Sequence, residues 1–367
     1  MTEIINPSIH DIFDANPIGV YWENANIYMN ESYKLMDLFP KRDQDDLTLS
    51  WVQGQNPLPI AIQPSAYDTK ASLRDKRGVS EYSISMPFFR EGDRIGEVEY
   101  MRVNEALNSP NKGIAAAQAT INKIYDQVGE IITGTVVQAE RMRADLLQDA
   151  KFTIAADPEL GRTVAYDYNY DQNGDWAANN KIVLAGSDTW TKENAATFDP
   201  TNTLLDAVIY MQDTYGVTPV RAYMNTVTKR AMLQSEKLSK YINPVGYANA
   251  FINDTAKNNF LTTETGLTFT TYDKQFQDER KNKRKFIKDG YIILIPDGSV
   301  GTTWWAQTPE QYFLNARLSA SSTYTTREGA SVTTYQSPHP VTQKWIVSAV
   351  MMPSFEGMQN VYVLKVF

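Results

Sequence analysis

Residues 111–150, NKGIAAAQATINKIYDQVGEIITGTVVQAERMRADLLQDA, read as one long amphipathic helix. Ile114, Ala117, Ile121, Ile124, Val128, Ile131, Thr135, Ala139, Met142 and Leu146 recur three or four apart, the spacing that lines one helix face. Ser109 is the expected N-cap and Pro110 the first helical residue. At 1.5 Å per residue the helix spans roughly 55 Å, against about three turns for an ordinary globular helix. That length suits a strut better than the wall of a catalytic pocket. Gly129 and Gly134 lie inside it and predict a hinge where it can bend.

Upstream, residues 1–50 form an arm. It holds a short helix over Asn30–Leu38, stopped before Pro40, and is otherwise turn-rich, with Pro7, Pro17 and Gly19. Such termini order only when docked on something. Residues 51–103 read as an extended β-hairpin. Ser80–Pro87 and Ile95–Val103 alternate as strands, and the tip, Asp68–Gly78, is charged, with Lys70, Arg74, Lys76 and Arg77 outnumbering Asp68 and Asp75. A hairpin this polar cannot bury a core alone; a neighbouring copy of the chain is one surface it could lie on.

Downstream, Phe152–Ile154 and Arg162–Tyr168 are short strands. Asp199 and Pro200 then open a helix that Gly216 closes, with Leu204, Leu205, Val208, Ile209 and Met211 as its buried stripe. Val220–Met224 is a strand, Asn225 caps a helix running to about Tyr241, and a further helix covers about Tyr247–Leu261. Leu267–Tyr272, Lys285–Lys288 and Tyr291–Ile295 are strands, left by the turn Pro296-Asp297-Gly298. From Gln311 the tail is β again, with Trp345–Met352 and Asn360–Phe367 strongest; the apolar terminal strand should be central and buried. The order predicts a discontinuous lobe of long helix and last strands with a mixed α/β lobe inserted.

The 367 residues, 42% hydrophobic, suffice for two cores or one elongated subunit. A net charge of −8 disfavours nonspecific nucleic-acid binding, yet suits a wall that surrounds nucleic acid without gripping it. With no cysteine, disulfides, thiol catalysis and zinc–thiolate sites are excluded. No apolar run approaches a membrane span, and Met1–His10 is not a secretory signal.

Little points to catalysis, and no cofactor is expected. The two histidines are His10, in the arm, and His339, between two prolines; no Gly-x-Ser-x-Gly elbow or phosphate-cradling glycine loop is present. Asn169-Tyr-Asp171-Gln-Asn173-Gly174-Asp175 resembles the first half of a calcium loop, but Asn180 stands where a bidentate Glu is needed. A solvated Asx-turn loop is the plainer reading. Arg280, Lys281, Lys283, Arg284 and Lys285 crowd one hairpin tip; they form either a solvated face or a contact with an acidic patch on a neighbouring subunit, ahead of a nucleic-acid contact.

Several segments in order resemble the major capsid proteins of tailed bacteriophages, of the lambda head-protein type. They are the long helix running into Lys151-Phe-Thr-Ile154 and Asp157-Pro158; Thr197-Phe198-Asp199-Pro200-Thr201; Asp289-Gly290-Tyr291 to Asp297; and Ser348-Ala-Val-Met-Met-Pro353 with Asn360-Val-Tyr-Val363. The resemblance implies an α+β capsid fold. Its parts are an N-arm (1–50), an extended loop (51–103), a peripheral domain (104–184 and 311–367) with spine helix 111–150, and an axial domain (185–310). It implies pentamers and hexamers of the chain in an icosahedral shell around double-stranded DNA, in a virion assembled in the bacterial host cytoplasm, with a portal and room for decoration proteins. Because the chain carries no long N-terminal extension, it implies a separate scaffolding protein. Some relatives join subunits through Lys–Asn isopeptide bonds; Lys70 and Lys76 sit on the extended tip, but no matching Asn and Glu can be named. Two alternatives stay open: a cargo-loaded cellular nanocompartment of the same fold, and a two-lobed small-ligand-binding protein, which would leave the polar hairpin and long helix without a purpose.

Overall fold

Thirty-six residues, Ile114–Asp149, form one unbroken helix, the spine. The computed structural model describes residues 12–26, 32–54, 79–108, 114–154, 165–245, 252–315 and 322–367; the expected cap at Ser109 and Pro110 lies outside them. Ile121, Ile124, Val128, Thr135, Ala139, Met142 and Leu146 are buried, as their spacing requires. Past Val128 the apolar seam slips by one residue, so that Ile132 and Val136 are buried while Ile131 is only partly so. A strict seven-residue reading drifts about 20° per repeat on a straight helix, and the buried face follows the helix.

The spine packs against a six-stranded sheet. In chain order its strands are β1 (Lys41–Gln44), β4 (Phe88–Ile95), β13 (Thr302–Ala306), β14 (Ser322–Thr325), β15 (Ser331–Pro338) and β16 (Val341–Ser354). The lateral order is β1-β13-β16-β15-β14, and β4 also pairs with β16. The fourteen-residue β16 organises the sheet: β15 runs along one side, while β4 and β13 share the other in succession. A second sheet has the order β7-β17-β12-β8-β9, made of β7 (Lys181–Val183), β8 (Arg221–Met224), β9 (Thr268–Thr271), β12 (Tyr291–Ile295) and β17 (Tyr362–Lys365). Tyr223, Ile293, Ile295 and Val363 join the spine core on one face; Ala222, Met224, Ile292, Leu294 and Leu364 join a separate core on the other. Burial on both faces is why β12 reads Tyr-Ile-Ile-Leu-Ile without alternation. The terminal strand is flanked on both sides, as its apolar sequence predicts.

Four helices cover the outer face of this sheet: Pro200–Tyr215, Thr226–Leu233, Glu236–Ile242 and Asp254–Thr265. Asp199 caps the first by accepting from the N–H groups of Thr201 and Asn202, and Gly216 ends it at φ 66°. Ala207 rather than Leu205 or Ile209 completes the buried stripe; Leu205 is half-buried and Ile209 exposed. Asn225 caps the second helix, but the chain breaks at Gln234 and Ser235 instead of running on to Tyr241.

Four further expectations are corrected. Ile95–Val103 is not a strand: β4 ends at Ile95 and Glu97–Asn108 is a helix. Its Val103 faces the core at a helical offset from Tyr100, with Glu97 and Glu99 in the first turn, where negative charge favours a helix. In the arm, the helix is Ala15–Ala25, while the expected Asn30–Leu38 helix is a run of turns over residues 34–38. Pro17 sits in the first turn, where a missing N–H costs nothing, and Gly19 lies against the Tyr324 ring, 2.0 Å from where a Cβ would be. The expected Lys285–Lys288 strand is β11 (Lys283–Lys285), paired with β10 (Gln275–Gln277). The tail beyond Gln311 begins as a helix, Pro309–Asn315.

Strand pairing also crosses the expected division at residue 310. β13 lies in the sheet of β16, and β17 lies in the sheet of β8, β9 and β12.

Candidate assembly interface

The arm folds onto its own subunit. Phe13, Ile18, Trp22, Leu35, Leu38 and Phe39 are buried, each contributing about 2 kcal/mol of burial. Trp22 Nε1 donates to Thr133 on the spine (3.0 Å), and Gln343 and Trp345 both donate to the Phe13 carbonyl (2.7 and 2.9 Å). β1 then pairs in parallel with β13. At the centre lies Glu140, fully buried on the spine. Its Oε1 accepts from Leu35 N (3.1 Å) and Tyr272 Oη (2.7 Å), and its Oε2 accepts from Arg143 (3.1 Å). Arg143 Nε donates to Thr303 Oγ1 (2.9 Å), which donates to the Phe39 carbonyl (3.1 Å). One buried ion pair thus ties arm, spine and both sheets together. Burial and the Glu140 carboxylate push the Tyr272 hydroxyl well above its ordinary pKa, so it stays a donor.

A second polar cluster closes the C-terminal end of the spine. Asp149 accepts from Lys181 and Lys288, both at 2.6 Å, and Asp145 lies 3.9 Å from Lys288. Burial opposes ionisation of Asp149, but the two lysines outweigh it and hold its carboxyl below the usual range; they do not do so for Asp145, which burial raises. Negative charge at a helix C-terminus is unfavourable by itself, and the lysines compensate it.

Open surfaces among the described residues include three candidates for contact with another copy. β2 (Thr48–Gly54) and β3 (Val79–Ser85) pair over seven residues and, among the described residues, with no other strand. On the Glu97–Asn108 helix, Val98 and Met101 are 63% and 69% exposed, an apolar pair of the kind that marks contact sites. The β10–β11 hairpin carries the third. Asp278 organises its tip, accepting from the N–H groups of Arg280 (3.0 Å) and Asn282 (2.8 Å) and from Arg284 Nε (2.8 Å).

Of the residues singled out by sequence, Arg280, Lys281, Lys283, Arg284 and Lys285 are brought together on that hairpin. Gly129 and Gly134 lie within the continuous spine, and a Cβ at Gly134 would meet nothing within 4 Å. Lys70, Arg74, Lys76 and Arg77 fall outside the described residues, as does His10. The calcium-like loop uses its oxygens internally: Asp171 accepts from the N–H groups of Trp176 and Ala177, and Asn180 is buried, donating to the Gln359 and Val361 carbonyls. Among the described residues no group of three or more His, Asp or Glu could hold a metal ion, and no helix is long and apolar enough to cross a membrane. Sequence reading missed the Glu140–Arg143 pair. Its signal was present, since Ile132, Val136, Glu140, Arg143 and Leu147 follow helical spacing and place two charges inside an apolar stripe.

Comparison with known proteins decides what kind of subunit this is. The family described as phage major capsid protein E matches residues 38–356. The chain belongs to that family. No curated protein matches this capsid subunit. Solved structures share its fold over most of its length. One assigned as a capsid protein of an Escherichia coli CFT073 prophage has a TM-score of 0.58 at 10% identity, covering 96% of this chain and 99% of that one. A phage-related protein from Bordetella bronchiseptica RB50 gives 0.51 at 17% identity, covering 96% and 97%. The capsid of cyanophage A-1(L) gives 0.50 at 13%, covering 92% of each. The capsid protein is a structural protein of the phage head, and self-assembly into a shell is its role. The family match favours this over a cellular nanocompartment or a ligand-binding protein.

Proposed function

We propose that this capsid protein closes head-to-tail into pentamers and hexamers that tile an icosahedral shell, and that the β2–β3 hairpin is the arm that reaches onto the next subunit. The observation that carries the reading is the hairpin itself. It pairs with no other strand among the described residues; Leu49 at its base is buried in the subunit core, and beyond that base a two-stranded ribbon is marginal alone in water, so a neighbouring copy supplies its support and covers its edges. In this reading Lys70, Arg74, Lys76 and Arg77, which lie outside the described residues, are contacts with that neighbour.

In this reading the net charge of −8 leaves packaged double-stranded DNA enclosed without sequence-specific contact. Assembly takes place in the bacterial host cytoplasm on a scaffolding protein, with a portal at one vertex and decoration proteins outside. Maturation switches the shell between two packings of one fold, the spine bending near Gly129 and Gly134. Negative-stain microscopy of a variant lacking residues 68–78 tests the arm. Loss of closed particles with a native circular-dichroism spectrum is expected; particles of normal size and stability would rule the arm out as an assembly clamp.

A further inference from the structure

Among the described residues β7 is an outer strand of the five-stranded sheet, paired in parallel with β17 on one side only. Leu184 N donates to Lys365 O at 2.8 Å. By the alternation of a parallel ladder, Val183 therefore turns its own N–H and C=O to the open side. On the helix-covered face, β7 and the Pro200–Tyr215 helix flank an open groove of about 680 Å³. Ile182, Leu184 and Leu364 line it, and Ile182 is 42% exposed. Asp188, Asp199 and Asp206 stand around these apolar residues, against a single base, Lys237. Asp199 is engaged as a helix cap; Asp188 and Asp206 are exposed and have no ion-pair partner among the described residues.

The β10–β11 hairpin has the complementary character. Five cations, Arg280, Lys281, Lys283, Arg284 and Lys285, stand against Asp278 and Glu279. Asp278 is committed to the tip, Glu279 to Arg141 at 2.6 Å, and Lys285 to Asp289 at 2.7 Å. Lys281 and Lys283 are exposed and have no carboxylate partner among the described residues. The hairpin is firmly based: Phe276 stacks on Phe286 with centroids 4.8 Å apart, and Phe286 joins the spine core.

The two surfaces cannot satisfy each other within one chain. The hairpin follows β9, the outer strand on the far side of the sheet, and packs on the spine face; the groove lies beside β7 on the opposite face. The two outer strands stand roughly 19 Å apart at the usual inter-strand spacing. We propose that the groove beside β7 receives the basic hairpin of an adjacent copy, an inference that rests on the shell-subunit reading and names the contact that closes its rings. A second copy accounts for both surfaces, whereas nucleic acid would match the hairpin and be repelled by the groove. Joining two different surfaces of one chain makes the contact heterologous, the type that closes into rings, and opposite charges at its rim steer association.

Charge reversal and cross-linking test it on the full-length chain. Lys281→Glu with Lys283→Glu, and separately Asp188→Lys with Asp206→Lys, should each lower the yield of rings and shells at least tenfold in sedimentation velocity, with thermal melts like wild type. Combining all four changes in one chain should restore assembly. Mixing the two reversed proteins should also restore it, but only as alternating, even-membered rings: hexamers without pentamers. Because the chain has no cysteine, Asp206→Cys with Lys283→Cys adds an independent readout, a ladder of covalent oligomers on oxidation. Normal assembly of both reversed variants, or the absence of a ladder from assembled protein, would overturn the contact. A ladder from the double-cysteine protein, alongside a wild type that forms no closed particle, would instead retain the contact and sink the shell reading.

Discussion

Replacing Glu140 by Ala should be among the most damaging single changes in this subunit. Glu140 is 0% and Arg143 2% exposed, so the substitution leaves a buried guanidinium without its counter-charge. Removing one partner of a buried pair costs about 3–5 kcal/mol. Leu35 N–H and Tyr272 Oη also lose their acceptor, each worth about 1–3 kcal/mol when buried and unmet. The terms overlap, because Arg143 keeps Thr303 and the site can relax, so we expect a loss of about 4–6 kcal/mol. That is a large fraction of the roughly 5–15 kcal/mol that holds a domain. Because Leu35 N–H anchors the arm to the spine, the arm should loosen first. Trypsin cutting at Lys34 and Lys41 in unassembled protein, followed beside urea denaturation, reads both effects. Glu140→Leu combined with Arg143→Met should cost clearly less than Glu140→Ala alone, since the orphaned charge is gone. A Glu140→Ala protein within about 1 kcal/mol of wild type, with arm cleavage unchanged, would refute the argument that this pair is the joint between arm and body.

Other perturbations have expected outcomes of different sign. At Gly301 a Cβ would fall 2.2 Å from Ser354 O and 2.5 Å from the Phe39 ring, so Gly301→Ala should destabilise by about 2–3 kcal/mol through overpacking, read as a fall in denaturation midpoint. Gly134→Ala has free space around it and should gain about 0.5–1 kcal/mol from helix propensity; if the spine bends there during maturation, shell expansion followed by light scattering should slow. Stability should be flat at neutral pH and fall at both ends. The Asp149 share is complete above the ordinary aspartate value of 3.8 and is lost as pH falls through its lower folded value, while the Lys288 share is complete below 10.5 and is lost as pH rises through its higher one. For Lys288, burial alone would lower the value, and its bond to Asp149 more than reverses that. Asp145, raised by burial, runs the other way. Denaturation at pH 7 should therefore find Asp149→Asn weaker by about 2 kcal/mol, from two lost charge-assisted bonds, and Asp145→Asn neutral or stabilised.

What could be read in the sequence was whatever local chemistry enforces. A spine with apolar residues every three or four positions has one way to bury them, and Asp199-Pro200 and Gly216 start and stop a helix whatever lies around it. The uninterrupted Tyr-Ile-Ile-Leu-Ile of β12 demanded a strand covered on both faces. Short segments whose pattern fits two periods went the wrong way. Ile95–Val103 alternates well enough for a strand, and only packing against the spine selects the helical period of Glu97–Asn108. The Ala15–Ala25 helix hid behind Pro17 and Gly19, whose usual meaning as breakers is cancelled by a first-turn position and by the Tyr324 ring.

The basic cluster at Arg280–Lys285 was visible as charge, but its complement was not. Asp188, Asp199 and Asp206 are unremarkable in sequence and become one rim only when β7 and the Pro200–Tyr215 helix are laid side by side. The same holds for the Glu140 hub, whose partners Leu35, Tyr272 and Thr303 lie more than a hundred residues away along the chain. Sequence by itself determined the elements, because capping, periodicity and hydrophobic burial act over a few residues. Tertiary structure alone decided which sheet each strand joined, where the arm docked and which charges were left for a neighbour, because each of those depends on distances between groups remote along the chain.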